Sequence, residues 1–432
     1  MRKILYILVI LSGSTWGQQF SLEDCIQYGL TKNLQLKKIE NEIARAKNNH
    51  QQAQLNFIPN LNGGASYGYN WGQSLDPFTN QFASTQVNNA SIYLSSEWEL
   101  FTGLRNFYGT KIGKNNVEYA QLFLNIEKKK LETEICKKYL NCLLSIQTVK
   151  LDHQYIAQLD SQIYFIQQKI ETGHATETEI ITVKSQKSLR INTLLQDSIL
   201  LKNALLDLKF TMNYPLKDNI EIQEKLQNIS AFEQNTEVEN LDEVNIQLKK
   251  ITLSELEVKR SKSGYIPSLS LFASIGTGYS GNYKQTNTTG ETSTVPLGSQ
   301  LRDNLYQNAS ISLRIPIFNR HVNKRQQKNL EIDLQNENIE LDYAKQNLEL
   351  RIQSVINELE SLNEASKIIE EMITQAENNF EMNKIRYQHG KITRLELTES
   401  QMLLFQNKQE LINLHYKIYF ATKILEVTLR KD

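Results

Sequence analysis

The sequence repeats itself at about half its length, and this duplication limits the possible folds more than any other feature. Three pairs of segments match in the same order: NFIPNLNGGASYGY (56–69) with GYIPSLSLFASIGTGY (264–279), NASI (89–92) with NASI (308–311), and IETGHATETEI (170–180) with YQHGKITRLEL (387–397). The separations are all about 210 to 220 residues. A repeat of this length predicts a chain built from two similar halves.

Each half has the pattern of a helix, a proline, a strand, a polar loop, a second strand, a very long helix, a glycine and another long helix. Pro59 and Pro267 end the first helix of each half and favour extended backbone, so we expect a helix-to-strand transition at both. The predicted domains are a first repeat at 18–213, a linker at 214–245 and a second repeat at 246–432.

The long helices carry a seven-residue apolar period, which is typical of helices wound around one another. The recurring positions are Ile135, Cys142, Val149, Ile156, Ile163 and Ile170 in the first half, and Leu334, Leu341, Leu348, Val355, Leu362, Ile369 and Ala376 in the second. The helix predicted from Leu104 to Thr172 would be roughly 100 Å long at 1.5 Å per residue. We therefore expect coiled-coil hairpins rather than a compact core.

Four strands are predicted, at about 60–71, 89–101, 268–279 and 308–318. Each has the length that a tilted strand needs to cross a bilayer, and apolar residues alternate with small or polar ones. A soluble sandwich would give the same alternation. Aromatic residues near the strand ends favour membrane strands, because tyrosine and tryptophan collect at bilayer interfaces; they are Tyr69, Trp71, Trp98, Phe101 and Tyr279.

Four strands cannot close a barrel, since the smallest membrane barrels have about eight, and an open edge in lipid leaves backbone groups unpaired. The sequence therefore predicts an oligomer in which every copy contributes four strands. With three copies the product is a homotrimeric 12-stranded β-barrel joined to a long coiled-coil α-helical barrel, a mainly α fold with two internal repeats.

The N-terminus is predicted to be a secretory signal peptide at residues 1–17. Two basic residues precede an apolar run from Ile4 to Leu11, and small residues follow at Thr15 and Gly17. The alternative is an uncleaved anchor, but the apolar run is too short to span a bilayer. We expect the chain to leave the cytoplasm.

The composition gives no sign of catalysis or of a bound cofactor. Lys and Arg number 48, as do Asp and Glu, so charge does not indicate nucleic acid. The six histidines are scattered without metal-ligand spacing, and no nucleotide-binding loop is found. The three cysteines are interpreted as small buried hydrophobes. We expect no enzymatic activity, no metal and no cofactor.

Several motifs resemble those of the TolC-like outer membrane efflux protein family. FSLEDCIQYGLTKNLQLK (20–37) is similar to the opening helix of that family, and WELFTGLRN (98–106) to its strand-to-helix turn. IPIFNRHVNKRQ (315–326) is a second copy of the turn without its glycines, and RYQHGKITRLELTESQ (386–401) is similar to the helix-tip segment. The resemblance covers essentially the whole mature chain.

The resemblance implies a homotrimer in the outer membrane of a Gram-negative bacterium, extending into the periplasm. Its partners would be outer-membrane lipid, a periplasmic adaptor and an inner-membrane pump, either proton-driven or of the ABC type. The expected docking surface for the adaptor is the pair of helix tips. There, glycine ends one helix and threonine caps the next, at Gly173, Thr176, Gly390 and Thr393.

The resemblance also implies a periplasmic gate near these tips. Acids stand six residues beyond each glycine, at Glu179 and Glu396, and Glu399 follows one turn later. Glu396 and Glu399 would form a ring of carboxylates in a trimer and favour cations. Tyr387 matches a tyrosine that holds the tip shut. Ile392 occupies the position of the family's partner arginine, and Arg394 lies two residues further on.

Three functions remain open. The leading hypothesis is a passive duct for small molecules in a tripartite efflux pump. A type I protein-secretion duct would have the same architecture. An exported coiled-coil structural protein would explain the heptads and the signal peptide, but not the four strands. For Glu396, the alternative to a gate role is a favourable position at a helix N-terminus.

Overall fold

A computed structural model describes residues 19–75, 80, 82–83, 86–173, 175–224, 241–288 and 290–430. The predicted signal peptide and much of the predicted linker lie outside the described residues. The helices are α1 Leu22–Lys32, α2 Leu34–Leu55, α3 Arg105–Glu171, α4 Glu177–Met212, α5 Asp242–Ser261, α6 Leu297–Asp303, α7 Val322–Gln388 and α8 Arg394–Leu429. The strands are β1 Gln19–Phe20, β2 Asn62–Asn70, β3 Ser74–Leu75, β4 Phe82–Ala83, β5 Val87–Phe101, β6 Glu221–Ile222, β7 Ser268–Ser280, β8 Lys284–Thr286, β9 Thr292–Thr294 and β10 Tyr306–Arg314.

The chain divides into two compact units. The first comprises residues 1–41, 122–246 and 342–432, and the second comprises 42–121 and 247–341. The first unit therefore holds α1, α4, α8 and most of α3 and α7, whereas the second holds the four long strands and the helix ends next to them. In the described part of the chain no helix combines the length and the apolar character needed to cross a bilayer.

The second unit contains a four-stranded antiparallel sheet in the order β10-β7-β5-β2. The four predicted strands are all present, with bounds that differ by a few residues. The largest difference is in the fourth strand, which was predicted to reach Phe318 but ends at Arg314. The reason is Pro316, which has no N–H to donate to the ladder.

The two faces of this sheet have different chemistry. One face is apolar and lies open in the single chain; its members include Leu61, Tyr67, Ile92, Ile275, Ile311 and Leu313, between 40% and 69% exposed. The other face carries small and hydroxyl side chains, and the Ser66 and Ser91 hydroxyls are 2.8 Å apart across β2 and β5. An exposed apolar face of this size indicates contact with an apolar environment.

Both repeats enter their long helix through the same backbone turn. Gly103 and Leu104 have φ of +63° and +73° in the first repeat, and Arg320 and His321 have +56° and +61° in the second. Because only glycine adopts this conformation without strain, the first turn has an energetic cost at Leu104 alone, and the second has one at both Arg320 and His321. The missing glycines of the second copy therefore do not alter the turn.

An asparagine just beyond each turn ties the long helix to the segment just before the repeat proline. Asn106 Nδ2 donates to the carbonyl oxygen of Asn56 at 3.3 Å, and Asn323 Nδ2 donates to that of Gly264 at 2.5 Å. Asn56 and Gly264 each lie three residues before the repeat proline, Pro59 or Pro267. These prolines stand between helix and strand as expected, because α2 ends at Leu55 before β2 and α5 ends at Ser261 before β7.

The first unit is built from long helices around an apolar core. Cys25, Cys136 and Cys142 are fully buried in this core as free thiols, in keeping with their interpretation as small hydrophobes. Burial raises the pKa of each of these thiols to about 12. The heptad positions of α3 and α7 are all buried or half-buried, which confirms the coiled-coil pattern. Within the predicted linker, β6 pairs in parallel with β1.

Candidate gate at the helical hairpin tips

Two helical hairpins, α3–α4 and α7–α8, turn at glycines in the first unit. Gly173 and Gly390 have φ of +72° and +65°, the left-handed conformation that ends a helix at low cost when the residue is glycine. The amide of Gly173 donates to the Ile170 carbonyl and that of Gly390 to the Tyr387 carbonyl, both at 3.0 Å. Both hairpins turn at a glycine because glycine adopts this left-handed conformation at low cost.

Capping boxes begin the helices that follow the two turns. Thr393 is the N-cap of α8, and its amide and hydroxyl donate to the carboxylate of Glu396 at 2.6 and 2.8 Å. These hydrogen bonds lower the pKa of Glu396. Thr176 and Glu179 make a looser box at the start of α4, with distances of 3.5 and 3.3 Å. Threonine and glutamate three positions apart satisfy helix N-terminal donors in this way.

A hydrogen bond joins the two hairpins near their tips. The hydroxyl of Tyr387 on α7 donates to Oε2 of Glu179 on α4 at 2.5 Å. The Tyr387 ring also lies 5.4 Å from the guanidinium carbon of Arg394 and 5.4 Å from Lys169 Nζ. Both cations are within the distance at which an aromatic ring attracts positive charge.

Arg394 makes a second link between the hairpins. Its Nη2 donates to Oε1 of Gln162 on α3. The side chain is substantially enclosed, and burial lowers the pKa of Arg394 below its ordinary value. Burial and the carboxylate of Glu179 raise the pKa of Tyr387 to about 12. At neutral pH the tyrosine is therefore protonated and remains a donor.

Glutamine side chains continue these links away from the tip. Gln401 is 4% exposed; its Nε2 donates to Gln158 Oε1 at 3.0 Å, and its Oε1 accepts from Gln162 Nε2 at 2.9 Å. A cavity of about 410 Å³ adjoins them and is also lined by Tyr387 and Arg394. The hairpins thus meet along hydrogen-bonding side chains, three of which are the neutral amides of Gln158, Gln162 and Gln401.

A buried ion pair lies further along the same hairpins. Arg190 on α4 pairs with Asp152 on α3, whose side chain is 0% exposed, and the Arg190 guanidinium stacks 4.0 Å from the Phe405 ring on α8. Burial raises the pKa of Asp152 to about 6. The nearby Arg190 lowers this pKa and Asp197 raises it, but burial has the largest effect. Desolvation of a carboxylate can outweigh attraction to one cation when the site excludes water.

The structure brings together only part of the predicted gate. Glu179, Tyr387 and Arg394 form one network, although Arg394 is two positions beyond the place implied by the family resemblance. Glu396 caps its own helix, and Glu399 is exposed on the next turn. In the described residues, no group of His, Cys, Asp or Glu is arranged to hold a metal ion.

Sequence reasoning missed the glutamine contacts and the Asp152–Arg190 pair. Gln158 and Gln162 are one turn apart on α3, so their shared face could have been predicted from the spacing. Their partner Gln401 is more than 200 residues away, and only the packing of the two hairpins shows that they meet. A buried aspartate in a heptad helix gives no signal of its own in the sequence.

The paired hairpins and the four-stranded sheet are the fold of a class of solved outer-membrane proteins. CusC superposes with a TM-score of 0.80 at 15% identity, covering 96% of this chain and 93% of CusC. VceC from Vibrio cholerae superposes with a TM-score of 0.77 at 14% identity, covering 94% of this chain and 95% of VceC.

The chain belongs to the outer membrane efflux protein family, whose pattern it matches over residues 25–213 and 250–428. It is 23% identical over 433 residues to the outer membrane protein TolC of Escherichia coli strain K12. The aligned region covers 96% of this chain and 84% of TolC. The protein is therefore an outer-membrane efflux channel, as the motifs predicted.

Proposed function

We propose that three copies of this chain form the outer-membrane duct of a tripartite efflux pump, a passive path for small molecules. The observation that carries the proposal is the sheet, whose edge strands β2 and β10 run in opposite directions. Pairing β10 of one copy with β2 of the next continues the antiparallel alternation. Three copies then give a closed barrel of twelve strands.

The chemistry of the sheet supports this assembly. In a closed ring the apolar face would meet lipid, and the face with Ser66 and Ser91 would line water. An isolated four-stranded sheet in a bilayer would expose the N–H and C=O groups of two edges, at several kcal/mol for each unpaired group. Closure removes both edges, so membrane insertion and assembly are coupled.

The helical hairpins would extend into the periplasm and dock on an adaptor protein at their tips. The proposed contact residues are Gly173, Thr176, Gly390 and Thr393, which form the two turns. An inner-membrane pump, driven by protons or by ATP, would supply the energy. The channel itself would carry out no chemistry and would need no cofactor.

The proposed gate consists of the links between hairpins. The Tyr387–Glu179 and Arg394–Gln162 hydrogen bonds hold α7 and α8 against α3 and α4, so opening would require both to break. Glu399, and Glu396 beyond its capping bonds, would present carboxylates to passing ions. Residues 1–17 would be removed during export, which N-terminal sequencing of the mature protein tests.

The proposal is tested by expressing the full chain in a Gram-negative host that lacks its own outer-membrane efflux channel. With a cognate adaptor and pump, the chain should restore resistance to small toxic compounds. The Tyr387→Phe variant should remain folded in the outer-membrane fraction. Failure to restore resistance, together with release of a co-expressed secreted polypeptide, would instead establish a protein-secretion duct. A soluble rod absent from the membrane would refute both.

A further inference from the structure

Two tyrosines and one phenylalanine, Phe272, lie on the polar face of the sheet, among small, hydroxyl and charged residues. Tyr93 on β5 is directly opposite Gly64 on β2 and Gly276 on β7. Tyr306 on β10 is opposite the same Gly276. One cross-strand row therefore reads glycine, tyrosine, glycine, tyrosine from β2 to β10.

Each tyrosine ring covers a glycine of the neighbouring strand. A Cβ atom built on Gly64 would lie 2.6 Å from the Tyr93 ring, and one on Gly276 would lie 2.6 Å from the Tyr306 ring. These contacts require the rings to lie against the sheet rather than stand away from it. Aromatic side chains commonly cover glycine across strands in this manner.

Both rings remain accessible from the polar face. Tyr93 is 44% exposed and Tyr306 is 47% exposed, although each ring covers a glycine on one side. A ring that lies against the sheet presents its other π-face to the space in front of the sheet. The two tyrosine strands are separated by one strand, which places them about 10 Å apart.

A negatively charged side chain on the same face of β5 would attract a bound cation. Glu97 has the parity of Tyr93, lies four residues closer to α3 and is exposed. Glu99 also has this parity, but Arg105 pairs with its carboxylate at 2.8 Å. The cation Arg314 has the parity of Tyr306 and is eight residues from it, roughly 26 Å along the strand.

We infer that Tyr93 and Tyr306 form an aromatic band inside the barrel that binds planar aromatic cations in transit. The inference rests on the proposed trimeric duct, in which three copies contribute six tyrosines to the lumen. A planar cation gains from both stacking and the negative π-face of the ring. The band thus favours one chemical class of cargo over ions and sugars of similar size.

The test uses the detergent-purified full-length protein and ethidium, a planar aromatic cation whose fluorescence rises on binding. Its variants are Tyr93→Ala with Tyr306→Ala, and Tyr93→Phe with Tyr306→Phe. The matched control is Tyr67→Ala, which truncates a tyrosine on the opposite face of the same sheet. The mass of each preparation is measured by light scattering, so that assembly is read independently of binding.

We expect the double alanine variant to bind ethidium at least ten-fold more weakly than the wild type. The double phenylalanine variant should stay within about three-fold, because the π-faces remain, and Tyr67→Ala should not change the affinity. Equal affinity in the wild type and the double alanine trimers, or no binding by a wild-type trimer, would overturn the inference alone. A wild-type protein that forms no trimer would overturn the proposed function and the inference with it.

Discussion

The hydroxyl of Tyr387 donates to the carboxylate of Glu179 at 2.5 Å, although the two residues are 208 positions apart. This hydrogen bond joins α7 of the second repeat to α4 of the first. The two hairpin tips occupy equivalent positions in the two repeats. The residues that join them, Tyr387 and Glu179, do not. The proposed gate rests on this bond more directly than on the other links between the hairpins.

Replacing Tyr387 by phenylalanine should favour the open channel. The change removes the donor to Glu179 but keeps the ring beside Arg394 and Lys169, and a hydrogen bond to a charged group contributes roughly 1.5 to 3 kcal/mol. We expect a higher single-channel conductance in planar bilayers. Tyr343→Phe, on an exposed position of α7, is the control and should behave like the wild type. Unchanged conductance in Tyr387→Phe would show that this bond does not restrain the tip.

Neutralising Glu399 should lower the preference of the channel for cations. Glu399 is exposed on α8, whereas Glu396 is engaged by the amide and hydroxyl of Thr393. Glu399→Gln should reduce the permeability ratio of K⁺ to Cl⁻, measured from reversal potentials, and should leave helix stability unchanged. Glu396→Gln should also weaken the cap, because a neutral amide oxygen accepts the hydrogen bonds of Thr393 less strongly than a carboxylate does. Glu410→Gln is a control on the same helix, and a ratio that matches wild type in Glu399→Gln would exclude the carboxylate ring.

The buried Asp152 should make the stability of the helical unit depend on pH. Its pKa is about 6 in the folded chain, against an ordinary value of 3.8, so between these values the folded state holds a proton that the unfolded state has lost. Stability should therefore fall as pH rises from about 4 to about 6, by up to about 3 kcal/mol.

Thermal unfolding followed by circular dichroism at pH 4.5 and pH 7 measures this effect. Asp152→Asn should have a smaller difference between the two pH values than the wild type. Asp160→Asn is a suitable control, because Asp160 lies on the same helix in an exposed pair with Lys187. An Asp152→Asn profile that parallels the wild type would mean that Asp152 titrates normally.

The two strand-to-helix turns should respond oppositely to substitution. In Gly103→Ala the new Cβ would lie 2.8 Å from the Ser263 carbonyl oxygen at a φ of +63°, so the change should destabilise by about 1 to 3 kcal/mol. Arg320→Gly relieves a left-handed arginine at the equivalent position and should stabilise by up to about 1 kcal/mol. Unfolding in denaturant compares both with the wild type. Two changes of the same sign would contradict the equivalence of the turns.

Much of the architecture follows from the sequence because its signals are periodic. Heptads defined the long helices, alternation defined the four strands, and Gly173 and Gly390 marked the tips. The fourth strand was predicted too long because Ile315 and Ile317 continue the alternation after pairing has ended at Pro316. Alternation reports which face is apolar, but not where the backbone ladder ends.

Contacts between distant residues were less predictable. Nothing local indicates that Tyr93 and Tyr306 share one row, since the two positions are not related by the repeat and meet only through the register with Gly276. Residue propensities likewise did not predict the left-handed backbone of Arg320, because the strand and the helix on either side impose the turn. Tertiary packing overrides local preference at these positions.

The central claim is that three copies close one barrel, and the mass of the assembly extracted from outer membranes tests it most directly. Light scattering with the detergent contribution subtracted should give three chains per particle. We expect this mass to persist on dilution, because separation would expose the edges of β2 and β10 to the apolar interior of the micelle. A particle that contains a single chain would contradict the account.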